Sequence, residues 1–547
     1  MIGTLGRALR RPAVAGVVLL ALYAGLSFAN DPRGYLGTDT GGKVATLKVM
    51  KERHRLDPDV GYWAARWDPG GTLHPLYYTS RIGHRWVNAT TLPMLYAAYP
   101  LYWLGGYRLA LLFPMLGSVL AALAGAALAR RLGAGDGWRS AVFWLVGLAS
   151  PLTIYALDFW EHSMGVALMA WAAVLLFDLA QGDARWWRAL TAGLLLGAAA
   201  TMRTEALVYA AVITAVACVV CLIRSRRLVA VMVAGLAVSA GLLVPLVGNQ
   251  LLEHATAGGT IRASRATGTV TNQQVTGGRF EEAVLTSVGL NPELSTGAYL
   301  VGALLLALLA LVALRSTARE SLLAIGAGVC VLLLYMLRFG QGPGFVPGLI
   351  AATPIAAVGL ARGWSDVRTR VVLGFALLPL PLVWAYQYTG GAVPQWGGRY
   401  ILPSAILLLV VGLCSLPALA TWARAGAVVL AVAVTGFGLV WLSIRSHDVA
   451  RASAALVRAP EPVLISRVAH LAREGGAFYD DRKWLTAVTL ADLDRAVDVV
   501  QRAGFHQFGV VGLDSRPGPD TLGTFHRTGF RRLRFFSDVD LHITTYG

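Results

Sequence analysis

Carboxylates and cysteines are both scarce in this chain. Of its 547 residues only 30 are Asp or Glu, against 47 Lys and Arg, and charged residues of both signs make up 14%. A domain surrounded by water usually has about a quarter of its residues charged, so this composition excludes one that is soluble throughout. The four cysteines, Cys218, Cys221, Cys330 and Cys414, all lie inside apolar runs. There they read as small buried hydrophobes, not as a disulfide framework or a thiolate metal site. No small-residue cleavage site separates the Arg7, Arg10, Arg11 cluster and its apolar run from Asp31, so the N-terminal segment reads as a retained signal anchor. No clear internal repeat is visible.

What is abundant is apolar sequence, 56% of residues, with a mean hydropathy of +0.59. This is the composition of a polytopic membrane protein. Runs near the 20 or so residues that a helix needs to cross a bilayer occur at 13–30, 107–129, 139–157, 163–180, 188–202, 206–223, 228–248, 299–314, 320–337, 346–361, 371–388, 400–416 and 425–444, which makes thirteen crossings. With the N-terminus cytoplasmic, the clusters Arg130/Arg131/Arg139, Arg185/Arg188, Arg224/Arg226/Arg227, Arg315/Arg319, Arg362/Arg368/Arg370 and Arg424 all fall on the cytoplasmic side. The net charge of +17 therefore reflects membrane orientation, and nucleic-acid binding is set aside.

Two exterior loops are too long to be simple connections, 31–106 and 250–298. In the first, Lys43 to Arg55 mixes Val44, Leu47 and Met50 with basic residues at helical spacing, which predicts an interfacial amphipathic helix. The aromatic stretch Leu92 to Leu104 predicts a helix lying on the membrane. From about residue 445 the composition becomes that of a soluble α/β domain, with strands near Pro462–Ile465, Phe508–Val511 and Val539–Thr544 and a helix capped by Thr489. The expected organisation is a membrane module, 1–444, that includes both loops, and a small extracytoplasmic α/β domain, 445–547.

Charges interrupt the apolar pattern mainly on the exterior side. Asp39 sits in the glycine-rich stretch Gly34–Lys43 directly after the first crossing, where an ionisable group at a membrane surface is a functional candidate. The plainer reading is a helix cap. Asp158, Glu161 and His162 share one short connection, and Arg203 with Glu205 breaks a long apolar stretch. Capping and a structural ion pair are the alternatives there. Asp158, Glu161 and His162 also leave room for a divalent cation, although no diagnostic ligand spacing is present, and no other cofactor is expected. Arg338 and Arg399 lie in glycine-rich exterior turns, Arg338-Phe339-Gly340-Gln341-Gly342 and Gln395-Trp396-Gly397-Gly398-Arg399-Tyr400. Arginine binds phosphate through two parallel hydrogen bonds and glycine lets the backbone approach, which suits a lipid phosphate; anchoring at the interface is the alternative.

On these motifs residues 1–444 resemble the GT-C glycosyltransferases, polytopic enzymes that use polyprenyl-phosphate sugars, and most nearly the actinobacterial members related to protein O-mannosyltransferases. The resemblance implies that Asp39 is the catalytic base, although Thr38-Asp39-Thr40 has one acid where many relatives have a pair. It implies an inverting hexosyl- or pentosyltransferase of the cell membrane. A sugar would pass from a polyprenyl-phosphate donor to a hydroxyl of a glycan, glycolipid or protein on the extracytoplasmic face. Asp158, Glu161, His162 and Glu205 would orient acceptor or base, and Arg399, Arg338, Arg203 and Lys43 would hold the donor phosphate. The rival readings are a transporter or flippase of a lipid-linked sugar and a scaffold for envelope assembly.

Overall fold

Inside a bilayer every backbone amide must be satisfied within its own segment, and the apolar runs accordingly fold as helices. A computed structural model describes residues 11–35, 37–261, 286–287, 327, 347–386, 396–535 and 539–547. Among the described residues eight helices are long and apolar enough to cross a membrane: Pro12–Ala29, Leu112–Arg131, His162–Ala180, Ala206–Ser225, Leu228–Ala257, Val367–Ala385, Arg399–Ala418 and Thr421–Val457. Three further expected crossings form shorter or broken helices. The 139–157 run is split into Asp136–Leu148 and Pro151–Ala156, and the 346–361 run into Leu349–Ala352 and Pro354–Arg362. Both breaks fall at a proline that opens the second helix, because proline disfavours helical backbone in the residue before it. The 188–202 run is one helix, Trp186–Met202. The crossings expected at 299–314 and 320–337, and Arg338, lie outside the described residues.

The chain divides into two compact units. The first comprises Met1–Leu26, Leu112–Asn249 and Thr269–Leu439. Its helices meet through small residues. A Cβ on Gly193 would stand 2.1 Å from the Val238 carbonyl oxygen, and one on Gly197 2.4 Å from that of Leu242. The pair makes a Gly-x-x-x-Gly seam that lets two backbones touch, the packing available where lipid supplies no hydrophobic drive between helices. The helix His162–Ala180 has chemically different ends. Near one end Asp178 accepts from Arg131 Nε and Nη2 at 2.6 and 2.7 Å and from Arg188 Nη1 at 3.4 Å. The other end begins at Glu161 and His162.

The second unit comprises Ser27–Leu111, Gln250–Gly268 and Val440–Gly547. Residues of loop 31–106 and of the tail share one hydrophobic core, in which Val49, Tyr62, Leu73, Leu76 and Trp86 pack with Val463, Ile465, Leu485, Leu493 and Phe508. The amphipathic segment expected at the membrane surface is an interior helix instead, Thr38–Glu52, with Thr40 to Leu47 continuously buried. Its glycines and short side chains leave a surface on which other backbone can pack closely. The aromatic stretch is the helix Leu92–Ala110, interrupted at Gly105 and Gly106. Strands β1 (Thr79–Ile82) and β2 (Arg85–Asn88) form an antiparallel hairpin.

The tail builds a six-stranded sheet from β3 (Val463–Ser466), β4 (Lys483–Thr486), β5 (Phe508–Gly512), β6 (Thr521–Leu522), β7 (Phe525–Arg534) and β8 (Asp540–Tyr546). The order is β4-β3-β5-β8-β7-β6, with β4, β3 and β5 parallel and the remaining pairings antiparallel. The helix Leu490–Arg502 connects β4 to β5. Thr489 caps it, and Asp492 answers the Thr489 backbone in a capping box.

His74 sits in the shared core against Tyr62, Trp86 and Tyr479. Its Nδ1 accepts from the Leu76 amide at 3.1 Å, so Nε2 carries the proton toward the Gly61 carbonyl at 3.0 Å. Burial holds the imidazole pKa down, to about 4, against the weaker upward pull of the Gly61 and Leu76 backbone bonds and of Asp68 and Asp59. The folded state thus resists the charge that the unfolded chain takes up near pH 6.5. The associated stability is fully present above about pH 6.5 and is lost as pH falls from there through about 4. Thermal unfolding of the detergent-solubilised protein will show Tm dropping across this window, and His74→Asn, which cannot charge, will flatten the drop. Identical profiles for the two proteins would exclude His74 as the source.

Candidate functional site

The charges singled out above fall into two clusters, one in each unit. In the first unit Arg203 ends the helix Trp186–Met202 in extended conformation, with Glu161 and Glu205 each just before the next helix. Neither glutamate caps its helix through its side chain. Both turn to Arg203 instead. Its Nη1 lies 3.0 Å from Glu161 Oε1 and its Nε 2.8 Å from Glu205 Oε1. All three are buried, at 7%, 5% and 4% exposure. Asp158 and His162 are buried beside them in sequence, and the His162 ring stacks on Tyr155 at 5.2 Å and lies 4.7 Å from Trp160.

Arg399 reaches this cluster through aromatic rings. Gly397 and Gly398 stand at φ +75° and +68°, backbone that L side chains rarely adopt. They turn the chain so that Arg399 follows a buried Trp396 whose carbonyl accepts from the Tyr155 hydroxyl at 2.7 Å. The Arg399 guanidinium lies over Trp160 at 5.4 Å and over Tyr400 at 4.5 Å, while that of Arg203 lies 4.9 Å from the Tyr400 ring. Tyr400 thus joins two cations that the sequence places far apart. The two glutamates compensate Arg203. Of the aromatic residues that link the cluster, Tyr400 stood in the turn for which interfacial anchoring was the alternative, and Trp160 was given no role.

In the second unit Asp39 occupies the first turn of the helix Thr38–Glu52. Its Oδ1 lies 3.0 Å from Nη1 of Arg473, a residue of the tail only 2% exposed. The plainer expectation for Asp39 was a cap, and the helix N-cap is Gly37, with no side-chain hydrogen bond. Arg473 Nη2 also reaches Asn88 Oδ1 and the Ala89 carbonyl at 3.4 and 3.3 Å, and its guanidinium lies 5.3 Å from the Tyr78 ring. Tyr78 holds φ +67°, a strained backbone for a residue with a side chain. Glycine makes the approach feasible: a Cβ on Gly41 would lie 1.8 Å from the Arg473 carbonyl oxygen, and one on Gly42 2.7 Å from Arg473 Nε. His470 packs on Tyr77 at 4.9 Å, and burial, then the charge of Arg473, push its pKa below the ordinary value against the pull of Asp39. Lys43, one turn after Asp39, is 3% exposed. Nothing in the sequence distinguishes Arg473 from the other arginines of the tail. The one usable sign was the Gly41-Gly42 pair, which foretells close backbone approach but not by what. Among the described residues no group of three or more His, Cys, Asp and Glu is placed to hold a metal ion.

Comparison with solved structures finds similarity at the level of fold. The chain is similar to ArnT from Cupriavidus metallidurans in the apo state, with a TM-score of 0.50 and 13% identity over 97% of each chain. The same ArnT bound to undecaprenyl phosphate matches with a TM-score of 0.43 at 13% identity, again over 97% of each chain. The oligosaccharyltransferase of Archaeoglobus fulgidus, in complex with Zn and sulfate, matches with a TM-score of 0.44 at 13% identity, over 90% of this chain and 67% of that one. No protein-family model matches the sequence, and no curated protein is recognisably similar to it in sequence.

The Arg203 cluster makes a direct prediction. Arg203→Met strands two buried carboxylates and is expected to cost about 3–5 kcal/mol, read as a lower Tm and less monodisperse protein in detergent. Adding Glu161→Gln and Glu205→Gln restores most of that loss. Wild-type stability in the single variant would mean that the pairs do not hold the helix ends.

Proposed function

We propose that this chain is a membrane glycosyltransferase that moves a sugar from a polyprenyl-phosphate donor to an acceptor hydroxyl on the extracytoplasmic face. The observation that carries the reading is Asp39, the first acid beyond the Pro12–Leu26 helix and its short extension apart from Asp31, held at one oxygen by the buried Arg473. An ion pair of this kind fixes the direction of a carboxylate, and a general base must be aimed before its pKa matters.

In the reaction the acceptor oxygen attacks the anomeric carbon while its proton passes to the Asp39 carboxylate. The bond from that carbon to the phosphate oxygen breaks, the polyprenyl phosphate leaves with the electron pair, and the anomeric configuration inverts. Arg399 stabilises the charge that grows on the leaving phosphate, an interaction stronger in the transition state than before it. Glu161 and Glu205 act through Arg203, which they hold in place. Asp158 and His162 orient the acceptor, and Lys43 and Arg338 are secondary candidates for the phosphate. Arg473 is a positioning residue for the base. Thirteen crossings, a cytoplasmic N-terminus and a tail from 445 outside the cell membrane complete the reading.

The test compares envelope glycans and glycolipids of a deletion strain complemented with wild type, Asp39→Asn or Arg399→Gln at equal membrane levels. Loss of one glycan feature with Asp39→Asn is expected, a decrease of at least about 100-fold in transfer, and a comparable decrease is expected with Arg399→Gln. Full rescue by Asp39→Asn would overturn the assignment in favour of transport or a scaffold.

A further inference from the structure

A second site lies at the carboxyl ends of the parallel strands, in the second unit. In the order β4-β3-β5 the chain leaves β3 toward one side of the sheet and returns to β5 on the other. Connections part at such a point, and open parallel sheets take ligands in the crevice that results. A cavity of about 450 Å³ occupies it, within the range of small-molecule sites. Arg467, the residue after β3, lines it together with Asp514, Ser515 and Arg516 from the loop after β5 and Thr544 of β8.

Several arginines of the tail are already paired with acids. Arg495, Arg502, Arg527, Arg531 and Arg532 each hold a carboxylate. Arg467 and Arg516 hold none among the described residues, and Arg467 Nε is buried without a hydrogen-bond partner there. Leu493, in the helix Leu490–Arg502 whose N-terminus the Thr489–Asp492 capping box closes, also lines the cavity. Two guanidiniums suit a phosphate. Asp514 can accept from sugar hydroxyls, and Ser515 adds a further hydroxyl. Of the aromatic residues in the lining, Tyr546 is fully buried with its hydroxyl on the Pro519 carbonyl at 3.0 Å, and the His542 ring stacks on Phe530 at 5.4 Å.

We infer that this cavity binds a phosphorylated monosaccharide, either free or as the headgroup of a lipid phosphodiester. The site is separate from the residues assigned to transfer, and the inference does not depend on that assignment.

The full-length protein in detergent is titrated by calorimetry with mannose 1-phosphate, its decyl phosphodiester, inorganic phosphate, mannose and ADP. Saturable binding of at least one sugar phosphate with Kd of about 1 mM or tighter is expected, with phosphate weaker by about tenfold or more and mannose silent. Arg516→Ala, in an exposed loop, and Arg467→Gln each weaken binding about tenfold, while Arg502→Gln, at a residue that does not line the cavity, leaves it unchanged. Tighter binding of the diester identifies a lipid headgroup as the ligand, and tighter binding of the monoester a free sugar phosphate. The inference fails if neither sugar phosphate binds saturably or if ADP binds more tightly. It also fails if Arg502→Gln abolishes binding while Arg516→Ala and Arg467→Gln do not.

Discussion

A guanidinium almost wholly removed from water persists only when it is answered by charge and hydrogen bonds. Arg473 is such a group, and the second unit is arranged around answering it: Asp39 supplies the carboxylate, Asn88 and Ala89 supply oxygens, and Tyr78 covers its face. The backbone on either side depends on that arrangement. A Cβ on Gly476 would stand 1.9 Å from the Gly41 carbonyl oxygen, and one on Gly41 would strike Arg473 in turn, so two chain segments touch at glycine on both sides. The carboxylate is therefore presented by a helix that cannot shift without breaking the contact. A carboxylate held by packed backbone and a buried ion pair is better directed than one carried on a loose loop.

The first unit answers a buried cation in the same way, with two acids. Glu161 and Glu205 converge on Arg203 from the starts of two helices, and Tyr400 carries the arrangement on to Arg399. Three helix ends and the Gly397-Gly398 turn are thereby tied together at the end of the helix His162–Ala180 opposite Asp178. Buried charges in apolar surroundings are expensive to leave unpaired, and here the two acids answer the cation.

Much of the architecture was legible because it follows from local rules. Long apolar runs became helices, although the 139–157 and 346–361 runs, expected whole, are each split at a proline, and Thr489 with Asp492 capped the helix that the Leu490, Leu493, Val497 pattern predicted. The acids and arginines of the site were visible as interruptions of apolar sequence. Their partners were not. The segment after Asp39 has the periodicity of a surface helix, yet it lies in a core, because its glycines admit tail residues that only the folded chain brings to it.

The sequence by itself determined that this is a multi-span helical protein with a sheet-forming tail, and which few polar residues had to be accommodated within apolar surroundings. Only the tertiary structure decided that Arg473 answers Asp39, that two glutamates share Arg203, and that loop 31–106 and the tail share a core. Hydrophobic periodicity and capping act over a few residues, so they can be read along the chain. An ion pair between distant segments depends on backbones approaching in three dimensions, and no local pattern records which of many arginines will arrive.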